Sequence, residues 1–213
     1  MSSNNLDKLT DCLNAAAFDL DFADMIAESE KKYHDLTLVA IDIDHFKLVN
    51  DNYGHKTGDD MIREIANILT GISREHKTYR WSGDEFALLF PDTEKEQVFL
   101  IMEEIRKKIS ASPVCSHTST TISAGIATYP EDGVRDVDLI RKANGAMYRA
   151  KSSGRNKIAL AKDEKLVTKT AHYTIEQLKQ LSELSGETGM TEAALLREAL
   201  DELLKKYNNA KNR

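Results

Sequence analysis

The sequence predicts an α/β protein: a mixed sheet flanked by helices, followed by a small strand-helix-helix module. Three observations predict it. Apolar residues at helical spacing alternate along the chain with short apolar runs. One hairpin signal interrupts that alternation. Composition then changes near Ala161-Lys-Asp-Glu-Lys165, and two further helical patterns follow a strand-like piece.

Asp7 to about Lys32 carries Leu13, Phe18, Phe22, Met25 and Ile26 at helical spacing and is expected as a helix. Leu36 to Ile41 reads as a buried strand that ends in Asp42-Ile43-Asp44. Thr57-Gly58-Asp59 opens a helix with Ile62, Ile65, Ala66 and Leu69 on one face. Thr78 to Trp81 and Phe86 to Phe90 flank a turn at Ser82-Gly83-Asp84-Glu85, where Gly and Asp tolerate positive φ. A helix is expected from about Thr93 to Ser110, and a strand from Thr120 to Thr128. A helix from about Val137 to Lys151 is stopped by Ser152-Ser153-Gly154, and Lys157 to Leu160 is the last strand. These elements make a first domain, residues 1–162.

The remainder, 163–213, starts with a strand-like piece from Leu166 to Tyr173. Thr174-Ile-Glu-Gln177 fits a capping box. Ile175, Leu178, Leu181 and Leu184 then form an apolar stripe that Gly189 ends. Thr191 caps a second helix carrying Leu195, Leu196, Ala199, Leu200, Leu203 and Leu204. A tail of about 50 residues is too small to bury these leucines alone, so it is expected to dimerise or dock.

With 41% apolar residues in 213, the chain can bury a core. No apolar run reaches the ~18 residues of a membrane span, and the start, Met1-Ser-Ser-Asn-Asn, lacks signal-peptide character. Cys12 and Cys115 have no metal or redox spacing and read as reduced thiols. A cytoplasmic protein without a membrane partner is expected. The net charge of −6 argues against a basic nucleic-acid coat.

Two acidic positions stand out. Asp42 ends a buried strand, and Asp84 and Glu85 sit at the hairpin tip. If the strands are neighbours, three carboxylates converge at one sheet edge. Such clusters hold hard cations, and Mg²⁺ on one or two carboxylates plus substrate phosphates is common in nucleotidyl transfer. From spacing alone, the simpler explanation is that acidic residues end strands at the surface.

The stretch from Asp7 to Leu160 resembles the GGDEF domain of diguanylate cyclases. Asp7-Lys-Leu-Thr-Asp-Cys-Leu-Asn14 is similar to the family's N-terminal DxLTGLxN stretch. Asp42-Ile-Asp-His-Phe-Lys-Leu-Val-Asn-Asp51, Tyr53-Gly-His55 and Gly58-Asp59 follow its pattern throughout. Arg80-Trp-Ser-Gly-Asp-Glu-Phe86 resembles its signature hairpin. Thr121-Ile-Ser-Ala-Gly-Ile-Ala-Thr-Tyr-Pro130 and Ala146-Met-Tyr-Arg-Ala-Lys-Ser-Ser-Gly-Arg-Asn156 resemble its C-terminal part.

The resemblance implies a nucleotidyl cyclase palm-like fold and the condensation of two GTP into cyclic di-GMP by a homodimer. It implies two Mg²⁺ per active site, with Mn²⁺ able to substitute. Asp42 and Asp84 would ligate metal with the carbonyl of Ile43, and Glu85 would ligate metal or help deprotonate the attacking 3′-hydroxyl. Phe46 and Lys47 would sit at the triphosphate, with Lys47 counted among the catalytic groups beside Asp84 and Glu85. Lys151 and Arg155 would hold the terminal phosphates, and Gly83 permits close backbone approach to phosphate. Asn50 and Asp59 would read the guanine. A carboxylate accepts from both N1–H and the N2 amine, and adenine offers no such pair.

Three departures from the family matter. Ser82 replaces the first signature glycine and is tolerated if its φ is negative. Asp11 and Cys12 replace the family's Gly and Leu, and Ala15 replaces an Arg, so any contact made by that Arg is lost. Ser73-Arg-Glu-His76 occupies the place of the inhibitory RxxD motif without its Arg or Asp, so feedback inhibition there is not expected.

Thr168 to Tyr207 resembles a ribbon-helix-helix module of small dimeric repressors. The resemblance implies strands paired across a dimer, with Thr168, Thr170 and His172 as candidate DNA contacts and Lys169 and Tyr173 pointing away. Ala161 to Arg213 carries nine Lys/Arg and nine Asp/Glu, no net charge, which counts against strong DNA binding. Lys162, Lys165, Lys169 and His172 still form a local basic edge. The leading expectation is thus a dimeric cyclase. The competing one is a DNA-binding regulator whose cyclase-like domain senses GTP or a cyclic dinucleotide, and a third is a cyclase with relaxed purine selectivity.

Overall fold

A computed structural model describes residues 5–73, 75–162, 170–188, 191–193, 195–197, 199–200 and 203. The chain divides into two compact units, Met1–Glu164 and Lys165–Arg213.

The first unit is built on a six-stranded sheet. Its strands are β1 (Leu13–Asn14), β2 (Leu36–Ile43), β3 (Lys77–Ser82), β4 (Glu85–Pro91), β5 (Ile122–Tyr129) and β6 (Ile158–Leu160). Their spatial order is β1-β3-β4-β2-β5-β6. The two edge pairings are parallel, and β3–β4, β4–β2 and β2–β5 are antiparallel. β2 lies near the middle, and all eight of its residues are buried. A strand covered on both faces needs no polar alternation, which is why it reads as one apolar run.

The helices are α1 (Ala15–Lys32), α2 (Phe46–Tyr53), α3 (His55–Thr70), α4 (Lys95–Ala111), α5 (Pro113–Thr118) and α6 (Asp136–Ser152). Val39, Ile41 and Ile43 of β2 pack in one cluster with Ile62 and Ile65 of α3 and Val98 and Met102 of α4. Leu36, Leu38 and Ala40 pack in the other with Phe18 and Phe22 of α1 and Leu139 and Ala143 of α6. Gly125 of β5 lets α6 approach closely, since a Cβ there would lie 2.0 Å from the Ala143 carbonyl oxygen.

The first helix starts at Ala15, not Asp7. Asn14 Oδ1 accepts from the Ala17 amide at 3.0 Å and caps it. Upstream, Asp7 Oδ1 accepts from the Leu9 and Thr10 amides, and Asp11 takes φ +58°. Such side-chain-to-backbone bonds compete with helix. α2 was not expected, because it is only eight residues long and buries only Val49, so the Phe46-Val49-Tyr53 spacing spans too few turns to stand out. α5 is a six-residue helix begun by Pro113, too short to show a period. α3 begins at His55 rather than Thr57, because Gly54, at φ +83°, breaks the chain between α2 and α3.

In the second unit α7 (Ile175–Thr188) starts with the expected capping box. Thr174 Oγ1 accepts from the Gln177 amide at 3.2 Å, and Gln177 Oε1 accepts from the Thr174 amide at 3.0 Å. Ile175, Leu178 and Leu184 are exposed. Helical residues follow Thr191, whose carbonyl accepts from the Leu195 amide at 3.1 Å. The strand expected over Leu166 to Tyr173 is not present at 170–173. A strand needs a second one to satisfy its ladder, and the described residues offer this segment none. Lys165, Thr168, Lys169, Gly189 and Leu204 lie outside the described residues, and Thr170 and His172 are exposed.

Cys12 and Cys115 are free and buried. No helix among the described residues is long and apolar enough to cross a membrane.

Candidate active site

The site forms where β2 ends. Asp42 is directly opposite Glu85 in β4 and Ser123 in β5. The Ile43 amide donates to the Asp84 carbonyl at 3.2 Å, which ties the hairpin tip to the strand. Lys151, in the last turn of α6, places Nζ 2.6 Å from Asp42 Oδ2. Burial pushes the Asp42 carboxyl up from its ordinary range, and the charges of Asp84 and Glu85 push the same way against Lys151.

The hairpin turn is held from below. Gly83 sits at φ +35° with open space where a Cβ would stand. Its carbonyl accepts from Arg80 Nε at 3.0 Å and Nη2 at 2.7 Å. Arg80 Nη1 also reaches Asp7 Oδ1 at 3.1 Å. Burial raises the Asp7 carboxyl, but Thr10, Arg80 and the Leu9 amide together outweigh it and hold it below the ordinary value. Ser82 has a negative φ, so the missing glycine strains nothing there. Its Oγ donates to Glu85 Oε2 at 2.9 Å.

A second group lies between α2 and α3. Asn50 Oδ1 is buried with no hydrogen-bond partner. A Cβ on Gly58 would lie 2.0 Å from that atom and 3.2 Å from the Phe46 ring, so glycine makes the cradle. Asp59 follows, half-buried. Lys47 is exposed in the first turn of α2, which begins without a side-chain cap. Arg155 is exposed beyond α6, on a left-handed backbone at φ +62°.

Sequence reasoning missed Asp44. It is 2% exposed and accepts from Ser123 Oγ and Thr121 Oγ1, both at 2.7 Å, and from the Asn156 amide at 3.0 Å. It thereby anchors the segment that carries Arg155. Its place two residues after Asp42, just past the end of a buried strand, was the available signal. Where the family has the inhibitory motif, His76 is buried instead. Its Nε2 lies 2.9 Å from the Leu69 carbonyl, and its ring stacks on Phe90. Arg74 lies outside the described residues.

Among the described residues no three His, Cys, Asp or Glu side chains form a metal cage by themselves. The three-carboxylate convergence expected from the sequence is therefore a looser arrangement: Glu85 is the cross-strand partner of Asp42, and the charges of Asp84 and Glu85 both act on Asp42. That donor set fits a hard divalent cation. Its oxygens are hard, its charge is in excess around a buried carboxylate, and Mg²⁺ characteristically leaves positions for substrate phosphates.

Residues 4–157 match the family model described as diguanylate cyclase, GGDEF domain. The chain belongs to the GGDEF family. Residues 170–208 match the ribbon-helix-helix domain model. Diguanylate cyclase VdcA of Vibrio cholerae is 36% identical over 71% of this chain and 45% of its own length. Diguanylate cyclase A of Treponema denticola is 32% identical over 65% and 38%. The chain thus spans less than half the length of these curated relatives. The crystal structure of the GGDEF domain of DgcB from Caulobacter crescentus, in complex with c-di-GMP, aligns with a TM-score of 0.69 at 31% identity. It covers 75% of this chain and 97% of that one. The mixed sheet with flanking helices is the GGDEF fold.

Proposed function

We propose that this GGDEF protein is a diguanylate cyclase that condenses two GTP into cyclic di-GMP. The observation that carries the reading is the end of β2, where buried Asp42 faces Glu85 and is held by Lys151. Excess carboxylate charge there is matched to a divalent cation and a polyphosphate.

The 3′-hydroxyl of each GTP attacks the α-phosphorus of the other. A P–O bond forms, the bond to the α,β-bridging oxygen breaks, and pyrophosphate leaves, once per nucleotide. Asp42, the Ile43 carbonyl, Asp84 and Glu85 would hold two Mg²⁺ or Mn²⁺, and such ions would supply charge neutralisation and a lowered pKa for the attacking hydroxyl. Glu85 ligates metal or takes that proton. Phe46, Lys47 and the Gly83 backbone line the triphosphate, and Lys151 and Arg155 neutralise charge that grows in the transition state. Asn50 Oδ1 and the Asp59 carboxylate accept from the guanine N1–H and N2 amine, which favours GTP over ATP.

Each catalytic domain holds one GTP, so the enzyme acts as a homodimer. The ribbon-helix-helix match, with exposed Ile175, Leu178 and Leu184, supports residues 163–213 as the dimerising element. Dimerisation raises the effective concentration of the second domain. The same match favours DNA as a further partner, with Thr170 and His172 inside the matched range, and Thr168 just before it, as the proposed contacts.

Purified protein is incubated with Mg²⁺ and GTP, ATP or both, and products are read by mass. Cyclic di-GMP from GTP alone, abolished by Asp84→Ala, is expected. Absence of any cyclic product from dimeric wild type overturns the reading. Deleting residues after 163 should remove both dimer and activity.

A further inference from the structure

We propose that Ser82, standing where the GGDEF signature has glycine, is a positioning residue for Glu85. The two residues close the hairpin as a cross-strand pair, next to a bulge between Arg80 and Ser82. Ser82 Oγ donates to Glu85 Oε2 at 2.9 Å. Glu85 is also the cross-strand partner of Asp42, so the hydroxyl acts on a carboxylate whose charge reaches the buried acid.

The substitution costs the turn nothing, because the positive φ falls on Gly83 and not on Ser82. What it adds is a donor that glycine cannot provide. An ionised carboxylate has about four lone-pair sites, and the hydroxyl takes one. Oε1 and the remaining lone pair of Oε2 stay open for a cation or an incoming hydroxyl. A glutamate on a half-exposed hairpin otherwise loses much of its rotamer freedom when it binds, and Ser82 removes part of that freedom beforehand. Its effect is therefore tighter cation binding through Glu85, with no direct contact of its own to the reacting atoms. This rests on the reading that Glu85 touches the cation.

The full chain is titrated with Mn²⁺ in the presence of saturating GTP analogue bearing a methylene α,β-bridge. Free Mn²⁺ is read by electron paramagnetic resonance. Ser82→Ala is expected to weaken Mn²⁺ binding about fivefold, which is a partial loss of preorganisation. Ser82→Gly is expected to match Ser82→Ala, and Ser82→Thr, which keeps the hydroxyl, to match wild type. Glu85→Gln is the control. If Glu85→Gln weakens binding and Ser82→Ala does not, the positioning role is overturned while the role of Glu85 stands. Wild-type affinity in Glu85→Gln removes the cation reading itself, and the Ser82 proposal with it. Weak binding in both Ser82→Ala and Ser82→Thr assigns the effect to packing and also overturns the proposal. Ser82 is exposed, so its variants are expected to keep the wild-type melting temperature.

Discussion

Lys151 Nζ lies 2.6 Å from Asp42 Oδ2, so the last turn of α6 is tied to the end of the central strand β2. The pair joins two motifs more than a hundred residues apart. It also gives the buried carboxylate its counter-charge when no cation is bound.

Asp42 is poorly solvated and beside like charges, which raises its carboxyl pKa in the folded state. A raised carboxyl binds its proton more readily folded than unfolded, so ionised Asp42 costs stability at neutral pH. Asp42→Asn should therefore raise the cation-free melting temperature while abolishing cyclase activity. A gain of about 2–4 °C corresponds to roughly 1 kcal/mol in a chain of this size. Mg²⁺ with GTP should stabilise wild type and leave the variant unmoved. Calorimetry checks both.

Arg80 braces the signature turn against the N-terminal segment. Arg80→Ala removes both bonds to Gly83 and the ion pair with Asp7, and is expected to lower kcat at least tenfold with the fold retained. Asp7→Ala and Arg80→Ala should be non-additive in a double-mutant cycle, since they share one contact. The Asp7 carboxyl is held low, so its stabilisation is present above about pH 4 and is lost as pH falls through the folded value. The destabilisation caused by Asp7→Asn should accordingly vanish at acid pH in melts followed by circular dichroism.

Gly58→Ala tests the proposed guanine-binding role of Asn50. The added Cβ would collide with Asn50 Oδ1. KM for GTP is expected to rise about tenfold, the effect of losing one good hydrogen bond of ~1.4 kcal/mol, with a smaller change in kcat. Steady-state kinetics separate the two.

Asp44 holds the Asn156 amide and two hydroxyls. Asp44→Ala leaves these groups unpaired, at about 1–3 kcal/mol. It should loosen the segment bearing Arg155, raising KM for GTP more than it lowers kcat. Hydrogen exchange at residues 153–157 should rise in parallel.

Burial lowers the His76 pKa from about 6.5, so this histidine resists charging in the folded state. Its contribution is present above about pH 6.5 and is lost as pH falls below that, because the unfolded chain takes the proton more readily. His76→Gln should flatten the drop in melting temperature between pH 7 and 5. With His76 and Ser73 in place of the inhibitory acid and base, micromolar cyclic di-GMP should leave turnover unchanged.

Local patterning made most of the first unit legible. The runs Leu36 to Ile41 and Thr120 to Thr128, and the hairpin around Gly83, needed only period and turn chemistry, and the structure placed them within two residues. The Thr174–Gln177 cap was readable because both partners lie on one turn. α2 and α5 were missed because they are eight and six residues long and each buries one residue, so their patterns span too few turns to read. The helical reading of Asp7 to Asn14 failed because Asp7 and Asn14 bind backbone amides and outcompete helix.

For the site, the sequence by itself determined which residue types are present: Asp42, Lys47, Asn50, Asp59, Asp84, Glu85, Lys151 and Arg155, in the order of the GGDEF family, with serine at 82. Which of them meet was decided by tertiary structure. Strand order puts β4 beside β2 and so sets Glu85 against Asp42. The close approach of α6 at Gly125 brings Lys151 over the same strand end. The gap at Gly58 leaves Asn50 Oδ1 buried and unpaired, and Asp44 pins the loop behind Arg155. These are relations between distant segments, fixed by packing and by the need to satisfy buried charge, and no local pattern encodes them.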